Sequence, residues 1–307
     1  MKVLVTGGAG YVGTEVCKEL VRSAVVDEII VYDNLSKSHY NMFLGKQFEH
    51  PEKVRFVKGD VLDSRQLIKL MTDTDVVIHL AAIVTTPFAN TDPHFYEQVN
   101  HWGTAEVVYA AEDSNISKFI YLSSTSVYGS NTNTVADETT APSPSTFYGI
   151  SKLRGEEHVN RLKERKNAIV LRGGNVYGYN RSIRFDAVIN RFMFDANYSN
   201  RIQIFGNGKQ TRAFIHVEHL AHSIAKCVTS DVDSGTYNLV DKNLKVLDIL
   251  DTMKEIYPTL EFIFSNQHMQ LRELNVSPET RLFDYISKFS ESEFKQELLD
   301  FKGRFSF

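Results

Sequence analysis

Thr6-Gly7-Gly8-Ala9-Gly10-Tyr11-Val12-Gly13 follows the apolar run Val3-Leu4-Val5 and leads into Val16, Cys17, Leu20 and Val21, which recur at helical spacing. A G-x-G-x-x-G set between a strand and a helix has a physical logic. One glycine permits the tight turn, one lets a pyrophosphate approach the backbone, and Gly13 allows close helix–strand packing. The helix N-terminus offers free N–H groups and the positive end of its dipole to the anion. The same spacing also suits a glycine-rich turn with no ligand, so the neighbouring segments have to decide.

Working outward, the second β-branched run ends Val31-Tyr32-Asp33-Asn34, which places Asp33 twenty residues after Gly13. An acid there accepts hydrogen bonds from adenosine ribose hydroxyls and repels a 2′-phosphate. The nearest cation is Lys37 and no arginine adjoins Asp33, so NAD is favoured over NADP. The predicted dinucleotide site comprises Gly7, Gly10, Tyr11, Val12, Gly13, Asp33 and Asn34, with Asp60 and Val61 after the third strand and Leu80, Ala81 and Ala82 after the fourth. Taken singly, the later residues fit turns or packing equally well.

Strands are predicted at residues 2–6, 28–33, 54–58, 76–80, 118–122 and 168–172, with amphipathic helical stretches between most of them. Such alternation implies a parallel sheet covered on both faces, an α/β, doubly wound Rossmann architecture. After about residue 175 the pattern loosens. Shorter strands at 202–205, 236–239 and 260–264 mix with helices near 217–228 and 246–256. This predicts a nucleotide-binding domain over 1–175 that carries the catalytic residues and, over 176–307, mainly a smaller substrate-binding lobe, with a soft boundary that leaves room for some return to the sheet. Residues 130–145, rich in Asn, Thr, Ser and Pro, read as a long surface loop.

The 307 residues suffice for a sizeable core, and 42% hydrophobic with 23% charged residues is ordinary for a globular enzyme. A net charge of −4 argues against nucleic acid as a partner. Cys17 and Cys227 lie in separate predicted helices without metal-ligand spacing, so no metal site is expected and both read as buried thiols. With no signal-peptide core and no apolar run of membrane-spanning length, the expectation is a cytoplasmic protein without membrane contact.

The glycine turn joins four further motifs: His79-Leu80-Ala81-Ala82, Leu122-Ser123-Ser124-Thr125-Ser126-Val127-Tyr128-Gly129, Tyr148-Gly149-Ile150-Ser151-Lys152 and Leu171-Arg172-Gly173-Gly174-Asn175-Val176-Tyr177-Gly178. In order and spacing, over residues 1 to about 240, the set resembles the extended short-chain dehydrogenases/reductases, and within them the nucleotide-sugar epimerases and dehydratases. The chemistry of the expected catalytic centre, Ser124, Tyr148 and Lys152, can be argued from the residues. Tyr148 and Lys152 are i and i+4 on a predicted helix and share a face. A nearby ammonium favours the phenolate and makes Tyr148 a general base. Ser124, at a strand end, can hydrogen-bond the substrate oxygen as it changes from alcohol to ketone. A Tyr-x-x-x-Lys pair alone equally describes a solvated helix face.

The resemblance implies further roles. Asn100 would hold the active-site helix or a bound water beside the cofactor, and Thr85, Thr125 and Asn175 would line the cleft for a nucleotide-diphosphate sugar. Arg212 stands at the phosphate-binding arginine, where a guanidinium takes two phosphate oxygens at once, and Arg272 is a second candidate for the diphosphate. The family usually has an aspartate where this chain has Ala213. The resemblance also implies a homodimer through helices near 95–112 and 147–163. Where related dehydratases carry an Asp-Glu pair after the catalytic Ser/Thr, this chain has Thr125 and Ser126. The leading expectation is C4 epimerisation; the alternatives are net redox on the sugar and a non-catalytic dinucleotide-binding regulator.

Overall fold

A computed structural model describes residues 1–46, 48–84, 92–130, 134–266, 273–290 and 292–307. Its strands are β1 Lys2–Thr6, β2 Glu28–Asp33, β3 Val54–Lys58, β4 Val76–His79, β5 Lys118–Ser124, β6 Asn167–Gly173, β7 Asn175–Tyr177, β8 Arg201–Phe205, β9 Thr211–His216, β10 Gly235–Leu239, β11 Lys242–Lys245 and β12 Glu261–Ser265. The helices are α1 Tyr11–Val21, α2 Ser64–Met71, α3 Pro93–Tyr96, α4 Gly103–Glu112, α5 Phe147–Leu162, α6 Val188–Ser199, α7 Val217–Thr229, α8 Val246–Ile256 and α9 Phe294–Lys302. A π-helical turn, Glu97–Trp102, leads into α4.

Seven parallel strands form the main sheet in the order β10-β6-β5-β4-β1-β2-β3. Buried β-branched residues on both faces of β1, β2, β4 and β6 explain the near-continuous apolar runs in these strands. One core cluster packs α1 and α7 against the sheet, and a second packs α2, α4 and α5 on the opposite face. Strand order reverses between β1 and β4, so the crevice beyond their carboxyl ends is where a doubly wound sheet takes its ligand.

The later half carries a three-stranded sheet, β11-β9-β7, a β12-β8 pair and a third core around α6, α8 and α9. The run at 236–239 is where the chain returns to the main sheet: it is β10 and pairs in parallel with β6 at the sheet edge. α7 makes the crossover and packs on α1, so residues 217–239 return to the first half of the molecule. Cys17 and Cys227 sit buried and free on these two helices. Among the described residues no helix is long and apolar enough to cross a membrane.

Candidate active site

A cleft of about 970 Å³ runs along the carboxyl ends of the parallel strands. Gly7, Gly10, Tyr11, Val12 and Gly13 form its floor; Asp33, Asn34, Asp60 and Val61 lie at one end, with Leu80, Ala81 and Ala82 along one wall. At Gly7, φ is +68° and a Cβ would come within 2.6 Å of the Ala81 amide nitrogen. At Gly13 a Cβ would lie 2.4 Å from the Gly7 carbonyl oxygen. Both positions therefore demand glycine, and the turn leaves the N-terminus of α1 open to the cleft.

The carboxylate of Asp33 is held from both oxygens, by the amides of Ala9 at 3.1 Å and Leu35 at 2.8 Å. Asp60 is fixed likewise by the Leu62 amide at 3.0 Å and the Asn34 side chain at 2.8 Å. A helix N-terminus without side chains in its way, beside a pre-oriented acid for ribose hydroxyls, fits NAD.

At the other end of the cleft stand Ser124, Tyr148 and Lys152. Ser124 ends β5 and its Oγ accepts from the Ser126 amide at 3.2 Å, which turns the chain into a short 3-10 helix, Thr125–Tyr128. Thr146 caps α5 by accepting from the Gly149 amide at 2.9 Å, which puts Tyr148 in the first turn of that helix. Burial pushes the Tyr148 phenol up; its hydrogen bond with Ser124 and the charge of Arg184 pull it back, and Tyr96 nearby pushes it up.

The lysine also packs on a ring from β5. Lys152 is 2% exposed, and its Nζ lies over the Tyr121 ring, 4.1 Å from the centroid. Burial brings it down to about 7, against the opposing charge of Glu156 one turn along the helix. Lys152 shares the helix face of Tyr148, and Arg184 is a further cation near that phenol. Beneath the site, His79 is buried and neutral, brought down to about 3 mainly by burial. Thr104 Oγ1 donates to the Asn100 carbonyl at 2.7 Å, so it accepts from His79 Nε2 at 2.9 Å, which leaves Nδ1 to accept from Thr6 Oγ1 at 2.7 Å. Hydrogen bonding thereby assigns the Nε2–H tautomer.

Asn100 is buried and does not contact the cleft. Its side chain accepts from the Ile83 amide at 2.8 Å and donates to the Ile83 carbonyl at 2.9 Å and to Ser151 Oγ at 3.1 Å. It thus ties the segment after β4 to α5. Thr125, expected to touch substrate, is buried behind the wall, whereas Ser126 faces the cleft. Asn175 opens β7, lines the cleft, and donates to the Ala213 carbonyl at 2.9 Å. Arg212, on β9, lines the cleft as well. Thr85 and Arg272 lie outside the described residues.

Sequence reasoning missed the segment after β7, where Ile183, Arg184, Phe185 and Asp186 line the cleft. Arg184 Nε and Asp186 Oδ1 meet as charges at 2.7 Å. Both atoms are buried and neither makes a hydrogen bond, so the pairing is too bent for one and donor capacity remains. The arginine itself was the available signal, since it follows the Val176-Tyr177-Gly178 motif by six residues.

Residues 3–239 match the model of the NAD dependent epimerase/dehydratase family. The chain belongs to that family. As a member it is an NAD-dependent nucleotide-sugar epimerase or dehydratase. The family spans both reactions among its relatives. The chain is 29% identical over 295 residues to mouse dTDP-D-glucose 4,6-dehydratase, covering 93% of this chain and 78% of the relative. It is 32% identical over 225 residues to a putative UDP-glucose 4-epimerase of Methanocaldococcus jannaschii, covering 71% and 70%. The fold is that of the Bacillus cereus UDP-glucuronic acid 4-epimerase solved with UDP-glucuronic acid and NAD, with a TM-score of 0.86 at 23% identity over 99% and 98% of the two chains.

Proposed function

We propose that this family member is an epimerase, inverting C4 of a nucleotide-diphosphate sugar through a transient 4-keto sugar. The observation that carries this reading is the wall beside Tyr148, which presents the hydroxyls of Ser124 and Ser126. Eliminating the C6 hydroxyl needs a proton donor and a base of carboxylic strength, and a serine hydroxyl is neither. Among the described residues, the acids lining the cleft are Asp33 and Asp60 at the ends of β2 and β3, and Asp186, paired with Arg184.

In this reading Tyr148 Oη takes the proton of the C4 hydroxyl and later returns it. Ser124 Oγ donates to the substrate oxygen as it becomes a ketone, and Arg212 and Asn175 hold the nucleotide end. The floor and wall residues Gly7 to Gly13, Asp33, Asp60 and Leu80 to Ala82 would hold NAD, which when bound supplies the acceptor and donor of hydride at the sugar carbon. Lys152, one turn along α5 from Tyr148, would supply positive charge to the same end of the cleft, reinforced by the nicotinamide ring. We also place a homodimer interface on α4, α5 and the preceding turn. Phe95, Trp102, Tyr109 and Phe147 expose 55%, 54%, 40% and 42% of their surfaces there. A monomer in sedimentation at micromolar concentration would remove that assignment.

The test of the reaction uses UDP-glucose, UDP-galactose, UDP-glucuronic acid, UDP-N-acetylglucosamine and dTDP-glucose in heavy water, followed by NMR and absorbance at 340 nm. C4 inversion without solvent deuterium at C5 is the expected result. Deuterium at C5 or a 4-keto-6-deoxy product makes the chain a dehydratase, and stoichiometric change in NADH makes it a net oxidoreductase.

A further inference from the structure

Tyr11 is the first residue of α1, and its ring belongs to the cleft wall while its hydroxyl points away into the protein. There it donates to the Gly178 carbonyl at 2.6 Å and accepts from Asn190 Nδ2 at 3.3 Å. Asn190 is fully buried; it donates as well to the Arg184 carbonyl at 3.1 Å and accepts from the Gly178 amide at 3.0 Å. One phenol and one amide thus close the segment 178–190 into a loop and pin that loop to the dinucleotide-binding turn. Two further contacts run the same way, from Asn180 Nδ2 to the Tyr11 carbonyl at 2.6 Å and between Thr14 Oγ1 and Ser182 Oγ at 3.0 Å.

Arg184 is what this loop carries into the cleft. Its side chain is 27% exposed, its Nε lacks a hydrogen-bond acceptor, and its charge reaches both Tyr11 and Tyr148. We propose that Tyr11 is a positioning residue, whose hydroxyl, with Asn190, fixes the loop that holds the Arg184 guanidinium in the cleft that Tyr148 also lines. The turn that receives the dinucleotide therefore also sets the cation of the sugar end. Nothing in the glycine motif requires a hydroxyl at this position, since a phenylalanine would cover the same wall.

This rests on the proposed role of Tyr148, and two separate readouts keep the claims apart. The first needs no turnover. In the NAD-loaded protein, Tyr11→Phe frees the loop, and phenylglyoxal modifies Arg184 several-fold faster by mass spectrometry, with the half-exposed Arg55 as the unchanged internal control. The second is a double-variant cycle with the fastest sugar of the panel above. Tyr11→Phe lowers kcat by about tenfold or more with the NAD dissociation constant within about threefold of the parent, and moves the ionisation that limits kcat upward in pH. If Tyr11 acts through Arg184, then Tyr11→Phe combined with Arg184→Lys is no slower than Arg184→Lys alone. Asn190→Leu, which opens the same latch from its other side, shows the same non-additivity should Tyr11→Phe fold poorly. Additive losses, or Arg184 labelling at the parental rate, would overturn the proposal. Normal turnover in Tyr148→Phe would instead overturn the reading of the reaction and leave the labelling result standing.

Discussion

Lys152→Met should make the protein more stable and inactive. The parent buries an ammonium at 2% exposure and holds it at about 7, against 10.5 for an unperturbed lysine. Each pKa unit is worth about 1.4 kcal/mol, so keeping this group in place costs about 4 kcal/mol at pH 7. The contact with the Tyr121 ring, 4.1 Å from Nζ to centroid, returns about 2 kcal/mol. Methionine fills the same volume without a charge and keeps a favourable sulfur–ring contact. The net gain is about 2 kcal/mol, which for 307 residues is a rise in Tm of about 3 °C. The pH dependence gives a sharper check. Because the folded pKa lies below the unfolded one, the unfolded chain binds more protons between about 7 and 10.5, and parental stability climbs with pH across that window. The advantage of the variant must therefore shrink from pH 7 toward pH 10. Calorimetry and urea unfolding of protein freed of dinucleotide measure both quantities. A variant that melts below the parent at pH 7, or gains on it as pH rises, would show that the lysine is stabilised in place and that this reasoning is wrong.

Tyr148→Phe should fold, bind NAD and lose at least about a hundredfold in activity, read from initial rates beside a dinucleotide titration. NAD should bind at least about tenfold tighter than NADP, or about 1.4 kcal/mol, because the carboxylate of Asp33, fixed at the end of β2, would accept from the ribose hydroxyls and repel a 2′-phosphate; fluorescence titration of the two dinucleotides checks it. Glu156→Gln should lose about 3–5 kcal/mol in urea unfolding. It leaves the Arg172 guanidinium, now held at 3.0 and 2.7 Å, buried without a counter-charge.

Local chemistry was legible where the signal was local. The glycine turn, Asp33 at a strand end, and Tyr148 with Lys152 on one helix each follow from spacing within a few residues, and their placement along one cleft follows from a parallel sheet whose strand ends share one side. Direction was harder to read. Residues i and i+4 share a face, but whether Nζ turns to Tyr148 or to the Tyr121 ring depends on a residue from another strand. A short run such as Gly235–Leu239 says strand without saying which sheet, so the sequence left open whether β10 returns to the main one. Arg184 was visible as a cation near the motif, but its place in the cleft was not, since the Tyr11–Asn190 contact that anchors its loop joins residues 179 apart.

The late arrival of β10 also bears on how the chain is made. Gly235 pairs with Ile169, and 235 − 169 is 66 positions. At about 5–20 residues per second of synthesis, roughly 3 to 13 s separate the two strands. During that interval the outer edge of β6, with Ile169, Val170 and Leu171, presents unpaired backbone groups in a strand built for burial, the kind of edge that recruits another chain. The first half of the chain thus waits with an open sheet edge after Ser124, Tyr148 and Lys152 have already been synthesised.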